Sequence, residues 1–255
     1  MIPQHLVDSH LSRTSAAVSR AVELLSVEAE SVASRTSTYL SNNLRVRGGR
    51  AIQSAPNSSV LGSAPAEYLA AVRASGYGAV AAAFTSTVVD QVGEVRDFLQ
   101  CAGIDAPELD EGAVAVLADH ASRAVQLLDA HVDRVGGNLA RFLGRSMGGS
   151  EVGALVSGAI GVVRGLARVE PILLDHSLTF FRMSGNLAHE LIEAGGTPLR
   201  YRYVGPETRR AFCGRLLGKL LSRAEVLALE NGQTPGAAVG AGGWGCRHWW
   251  AAERL

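Results

Sequence analysis

Apolar residues recur at three- and four-residue steps over most of the chain before residue 195, the pattern of amphipathic α-helices. From Gln4 to about Leu44 the stripe is Leu6, Val18, Val22, Leu25, Val32 and Leu40. Asp8 and Ser9 offer capping groups at its start, and Gly48-Gly49 stop it. Residues 48–64 are rich in Gly, Pro, Asn and Ser and read as a loop. Pro65 suits a first helical turn and opens a second block, which breaks near Gly76 and Gly78 and resumes to about Gln100. A third block spans about Glu108 to Leu143. Its stripe is Val114, Val116, Leu117, Ala121, Val125, Leu128, Val132 and Leu139, and Gly148-Gly149 terminate it. A fourth runs from Ser150 to about Arg168, and a fifth from Pro171 to about Ala194, closed by Gly195-Gly196.

The period then changes. Leu199-Arg200-Tyr201-Arg202-Tyr203-Val204 alternates apolar and charged residues and reads as a strand, turned by Gly205-Pro206. Glu207 to Leu217 suits a short helix, and Ser222-x-x-Glu225 is a capping box opening another to Leu229. Residues 231–245 form a glycine-rich loop before Cys246-Arg247-His248-Trp249-Trp250. The expected fold is mainly α: a long-helix body over 1–198 with a loop at 48–64, and a small α+β module over 199–255.

Charge changes this picture only locally. The formal net charge is zero, yet residues 63–135 carry eleven acidic against four basic side chains and 199–255 carry nine basic against four acidic. Two surfaces with different partners would account for that split. No apolar leader opens the sequence, so the three cysteines, Cys101, Cys213 and Cys246, are expected reduced in a cytoplasm. The longest apolar run, Val152 to Val163, falls short of the ~18–20 residues that span a bilayer and reads as a buried helix.

Most tests for chemistry fail. There is no phosphate-binding P-loop, no dinucleotide glycine motif after a strand and no Gly-x-Ser-x-Gly elbow. His189-Glu190 begins like a zinc-protease motif, but Glu193 stands where a second His is required. His120, His131 and His176 fall on helices and read as structural. One constellation remains. Cys213, Cys246 and His248 lie within the short tail, and Cys-x-His puts two soft ligands on one segment, an N/S set that zinc accepts. Glu207 or a water would be the fourth ligand. Buried apolar packing of the two thiols, or a disulfide, explains the same residues. A third reading makes Cys213 or Cys246 a nucleophile with His248 as base. No other cofactor and no small-molecule substrate is expected. Arg202, Arg209, Arg210, Arg215, Lys219 and Arg247 form a basic set suited to DNA phosphates or an acidic partner, with Arg200 and Arg223 nearby. Trp244, Trp249 and Trp250 either stack on bases or pin a small core, and the core reading is preferred.

The tail also resembles a known family. Tyr201-Arg202-Tyr203-Val204-Gly205-Pro206-Glu207-Thr208-Arg209-Arg210-Ala211-Phe212-Cys213 is followed by Gly218-Lys219, Glu225 in a short helix, Asn231-Gly232-Gln233, and Trp244-Gly245-Cys246-Arg247-His248. This order is similar to the C-terminal signature of tailed-phage minor head proteins, the Mu F-like head-morphogenesis group. The preceding Arg182-bearing helix, Thr179 to Glu190, matches the same pattern, so the resemblance covers about residues 178–250. Glu207 stands in place of an Asp, and a second upstream Cys and a His before the closing motif are missing. The resemblance implies a non-enzymatic virion protein made in the host cytoplasm. It would be one chain of a multi-chain assembly, near the portal or other head and neck proteins and the packaged DNA, acting in head assembly or DNA delivery. A rival within the same setting is an internal virion protein ejected with the DNA and using the 152–163 segment on a membrane.

Overall fold

In the first helix, α1 (Gln4–Asn43), the buried positions include, besides Ala33, the series Val7, His10, Thr14, Val18, Ala21, Leu25, Ala29, Val32, Thr36 and Leu40. They follow the alternating three- and four-residue step of one helical face, and three of them are polar. The computed structural model describes residues 3–51, 54–146, 150–230 and 246–254. The expected Gly148-Gly149 stop, the 231–245 loop and Trp244 lie outside the described residues. The protein is mainly α, with long helices and a small sheet near its C-terminus.

After α1 come a two-residue hairpin, β1 (Val46–Arg47) and β2 (Arg50–Ala51), then α2 (Ala55–Arg73), α3 (Tyr77–Val89), α4 (Gln91–Cys101) and α5 (Glu111–Arg145). Next are α6 (Val152–Val163), a 3-10 turn (Arg164–Ala167) and α7 (Glu170–Ala194). The tail holds β3 (Leu199–Val204), α8 (Ala211–Leu216), β4 (Leu220–Leu221), α9 (Arg223–Glu230) and β5 (Trp249–Arg254).

The expected loop at 48–64 is shorter than the composition implied. Gly48 and Gly49, at φ 57° and 78°, make the tight hairpin turn, and α2 already begins at Ala55. Ser54 accepts from the Asn57 amide as N-cap, and Pro56 occupies the first turn. Pro65 lies inside α2 instead of opening it. On α5, Val114 and Val116 are exposed, because Ala113, Leu117, Ala121 and Ala124 hold the buried phase.

Packing defines two compact units. One comprises Met1–Val18, Thr85–Ala124 and Pro171–Leu255; the other comprises Ser19–Phe84 and Val125–Glu170. Thus 199–254 is not a unit by itself, and no division falls at 198. In the first unit a three-stranded antiparallel sheet runs β4-β3-β5, with Tyr203 opposite Trp250 and Val204 opposite Trp249. The helices α8 and α9 are too short to cover such a sheet. Its apolar side is closed by Val95, Phe98 and Leu99 of α4 and by Phe181, Ala188 and Ile192 of α7. Two buried polar side chains there are tied at one atom each: Gln91 Nε2 donates to Ser177 Oγ at 2.6 Å, and His10 Nδ1 bonds Glu94, while Gln91 Oε1 and His10 Nε2 have no hydrogen-bond partner among the described residues.

In the second unit the Tyr68 hydroxyl donates to the Val132 carbonyl at 2.9 Å, and its ring lies against Gly136, where a Cβ would meet Cε1 at 3.1 Å. Gly158 is likewise required, since a Cβ there would fall 2.2 Å from Phe142 Cζ. Helical structure continues beyond the apolar 152–163 run. The stretch Val152–Ala194 therefore contains an 18-residue window long and apolar enough to cross a bilayer by length and composition, of which 28% is buried.

Candidate metal centre

Antiparallel pairing of β3 with β5 lays residues 246–248 beside the 203–206 turn, and α8 delivers Cys213 to the same point. The Cys213 and Cys246 sulfurs are 3.7 Å apart, and Cys246 Sγ is 3.6 Å from His248 Nδ1. All three donor atoms lie within 4.8 Å of one another, and all three residues are buried. The Tyr203 hydroxyl is 3.6 Å from each sulfur. Tyr203 stacks on the His248 ring with centroids 5.3 Å apart and planes 7° from parallel.

Two of these separations, sulfur to sulfur and Cys246 to His248, match a metal polyhedron. Two ~2.3 Å zinc–sulfur bonds at a tetrahedral angle place the sulfurs about 3.8 Å apart, and one such bond with a ~2.05 Å zinc–nitrogen bond gives about 3.6 Å. A disulfide would need a sulfur separation of about 2.05 Å, and both thiols are free. Glu207, expected with a water as the alternative fourth ligand, is exposed and is not among the clustered donors. Residues 231–245 contain no Cys, His, Asp or Glu. Tyr203 Oη, 3.6 Å from both sulfurs, is a further polar atom against the cluster.

The second nitrogen of His248 fixes the ring. Nε2 is 2.8 Å from the Pro206 carbonyl, which can only accept, so Nε2 carries its proton. Nδ1 then has two useful states. With a lone pair it is a ligand, oriented by the carbonyl behind it. Protonated, it forms an ion pair with a Cys246 thiolate. Burial alone would raise the Cys246 thiol, but hydrogen bonds from His248 and Tyr203 outweigh it and pull the group down to about 6. Burial raises Cys213, and the neighbouring Cys246 adds to that, against the Tyr203 hydrogen bond. The two thiols are thus pushed in opposite directions, Cys246 down and Cys213 up.

The basic set divides. Arg202 forks onto Glu253 at 2.6 and 2.9 Å and donates to the Gly218 carbonyl at 2.7 Å, so it is bound within the sheet and not offered outward. Arg223 pairs with Glu190 and lies over the Tyr201 ring. Arg209, Arg210, Arg215, Lys219 and Arg247 are exposed. Trp249 and Trp250 belong to the core: Trp249 meets Phe98, Phe181 and His10 edge-on, and Trp250 packs on Tyr203. His189 is buried against Tyr201.

Sequence reasoning missed Tyr203, Gly205 and β5. The Tyr203 alternation marked it as core, but nothing in sequence showed its hydroxyl meeting two sulfurs 10 and 43 residues away. No family model matches this chain, and neither does any curated protein or solved structure.

Proposed function

We propose that the protein is a structural component of a tailed-phage particle, a minor head or neck protein close to the portal, acting in head assembly or DNA delivery and carrying no catalytic activity. One observation supports it best. Four signature residues of the tail, Tyr203, Cys213, Cys246 and His248, gather into one buried knot beside a three-stranded sheet, with Cys213, Cys246 and His248 at 0%, 2% and 3% exposure. Donors enclosed in this way stabilise a small module that cannot build a large core alone. They leave the exposed Arg209, Arg210, Arg215, Lys219 and Arg247 as the contacting surface. Co-expression with a portal ring followed by co-purification tests the proposal, as does mass spectrometry of purified particles. Absence from particles, together with no portal binding, overturns it.

A second reading has its own support. The apolar window within Val152–Ala194 is only 28% buried, which suits an internal protein ejected with the DNA and inserting into a membrane. Dye leakage from liposomes on addition of the purified chain would favour that reading over a stationary head component.

A further inference from the structure

The second unit carries a groove that the tail signature does not touch. It has a volume of about 580 Å³, with α5 as one wall and α6 and the 3-10 turn as the other. Arg134 and Arg168 line it, and the opposite wall includes Gly158, Gly161 and Gly165. A Cβ at Gly161 would meet nothing within 4 Å, so the wall is open backbone at that position, whereas Gly158 is packed against Phe142. The arginine is held in place from below. His131 is 5% exposed, its Nε2 lies 2.9 Å from the Gly165 carbonyl, and its Nδ1 lies 2.5 Å from Arg134 Nη2. The carbonyl requires a proton on Nε2 and the guanidinium requires a lone pair on Nδ1. Both demands specify one neutral tautomer. Burial first, and then the charge of Arg134, push the imidazole below its ordinary range, against the bond to Gly165.

Charge continues along α5. Arg134, Arg141 and Arg145 are seven and four residues apart, on one exposed face covering roughly 16 Å of helix. None of these three, nor Arg168, has a carboxylate partner among the described residues. Arg164, by contrast, forks onto Glu30 at 2.6 and 3.0 Å. A row of unneutralised guanidinium groups leading out of a glycine-walled groove matches repeating phosphates, which arginine binds in bidentate fashion. A single small anion would use the groove and leave the row idle.

We propose that this groove and the α5 arginine row bind the phosphodiester backbone of nucleic acid, without reading its sequence. The test is binding of a labelled mixed-sequence DNA duplex to the full chain across a salt series. Wild-type affinity should fall steeply with salt. R134A/R168A and R141A/R145A should each lower the slope by nearly two, about 0.9 for every phosphate no longer neutralised, and weaken binding at least tenfold at low salt. R134K should keep the slope, because it keeps the charge. H131F should weaken binding with the slope retained, because the guanidinium loses its orientation. Circular dichroism checks that each variant is folded. R209A/R210A in the tail reports separately on the basic surface there. Unchanged binding in the α5 variants overturns the proposal. So does binding of inorganic phosphate alone, or of anionic phospholipid vesicles in place of DNA. Portal co-purification is independent of these outcomes, so the head-protein reading and this one can fail separately.

Discussion

Gly205 and His248 touch with no room for a side chain between them: a Cβ on residue 205 would lie 2.4 Å from Cδ2 of the imidazole and 2.9 Å from the Arg247 carbonyl oxygen. The backbone there is at φ 154°, a region that side-chain-bearing residues rarely enter. Gly205→Ala therefore carries both backbone strain and overpacking. It should destabilise the chain by at least ~2 kcal/mol in urea titration. A midpoint within ~0.5 kcal/mol of wild type would contradict the packing around His248.

Arg202 looked in sequence like one more surface cation, and its neighbours Arg209 and Arg210 still are. Its side chain is 24% exposed and that of Glu253 14%. Removing the guanidinium leaves a half-enclosed carboxylate joining β3 to β5. Arg202→Ala should lower stability by roughly 1–3 kcal/mol while leaving DNA affinity nearly unchanged. Arg209→Ala with Arg210→Ala should show the reverse. Equal effects of the two variants on both measurements would remove the distinction.

His120 of α5 and His176 of α7 stack with centroids 5.1 Å apart and planes 15° from parallel. Burial lowers both, and their proximity adds to it at His176, which falls to about 4. Arg123 opposes protonation of each, and Asp119 favours it at His120. The folded state thus binds fewer protons than the unfolded chain. Stability is full above the ordinary histidine value of 6.5 and declines as pH falls from there toward 4, by roughly 3 kcal/mol for His176 alone. His189, pushed to about 3 by burial and Arg223, declines in the same direction. Urea midpoints at pH 7, 5.5 and 4.5 measure the loss. The double variant His120→Phe, His176→Phe should flatten that dependence.

How far the sequence carries depends on whether a signal is local. Strand β3 was legible because Leu199, Tyr201 and Tyr203 are buried while Arg200 and Arg202 between them are not. The Ser222–Glu225 capping box was legible for the same reason, and both of its hydrogen bonds are present, Glu225 N–H to Ser222 Oγ and Ser222 N–H to Glu225 Oε2. Strand β5 was not, because Trp249 to Ala252 is a buried run with no alternation, and only its pairing with β3 defines it. Composition misplaces the start of α2 at Pro65, because the Gly, Pro, Asn and Ser of residues 48–64 read as loop although the helix begins at Ala55. The earlier site is favoured by a distant contact, the Asn57 side chain bonding the Arg45 amide and carbonyl at 2.8 and 2.9 Å. At the candidate centre, Cys-x-His gave the ligands. The contact of the Tyr203 hydroxyl with both sulfurs and the inaptness of Glu207 depend on through-space geometry.

The paired sulfurs allow a decisive chemical test. If the knot takes a metal, Cys213 and Cys246 must both ionise and His248 must present Nδ1, so binding releases protons and weakens in acid. Titration with Co²⁺ should give one equivalent of thiolate-to-cobalt charge-transfer absorption at neutral pH, and Zn²⁺ should displace it. Cys213→Ser and Cys246→Ser should each abolish it. The signal should fade as pH drops below about 6, where protonation of Cys246 opposes the metal. In the metal-loaded chain only Cys101, which is exposed, should alkylate readily, with the two buried thiols reacting on unfolding. The opposite pattern would be no cobalt band and rapid alkylation of Cys246 in the folded chain at neutral pH. That result would defeat the metal reading and make Cys246, activated by His248, a nucleophile whose substrate should then be sought.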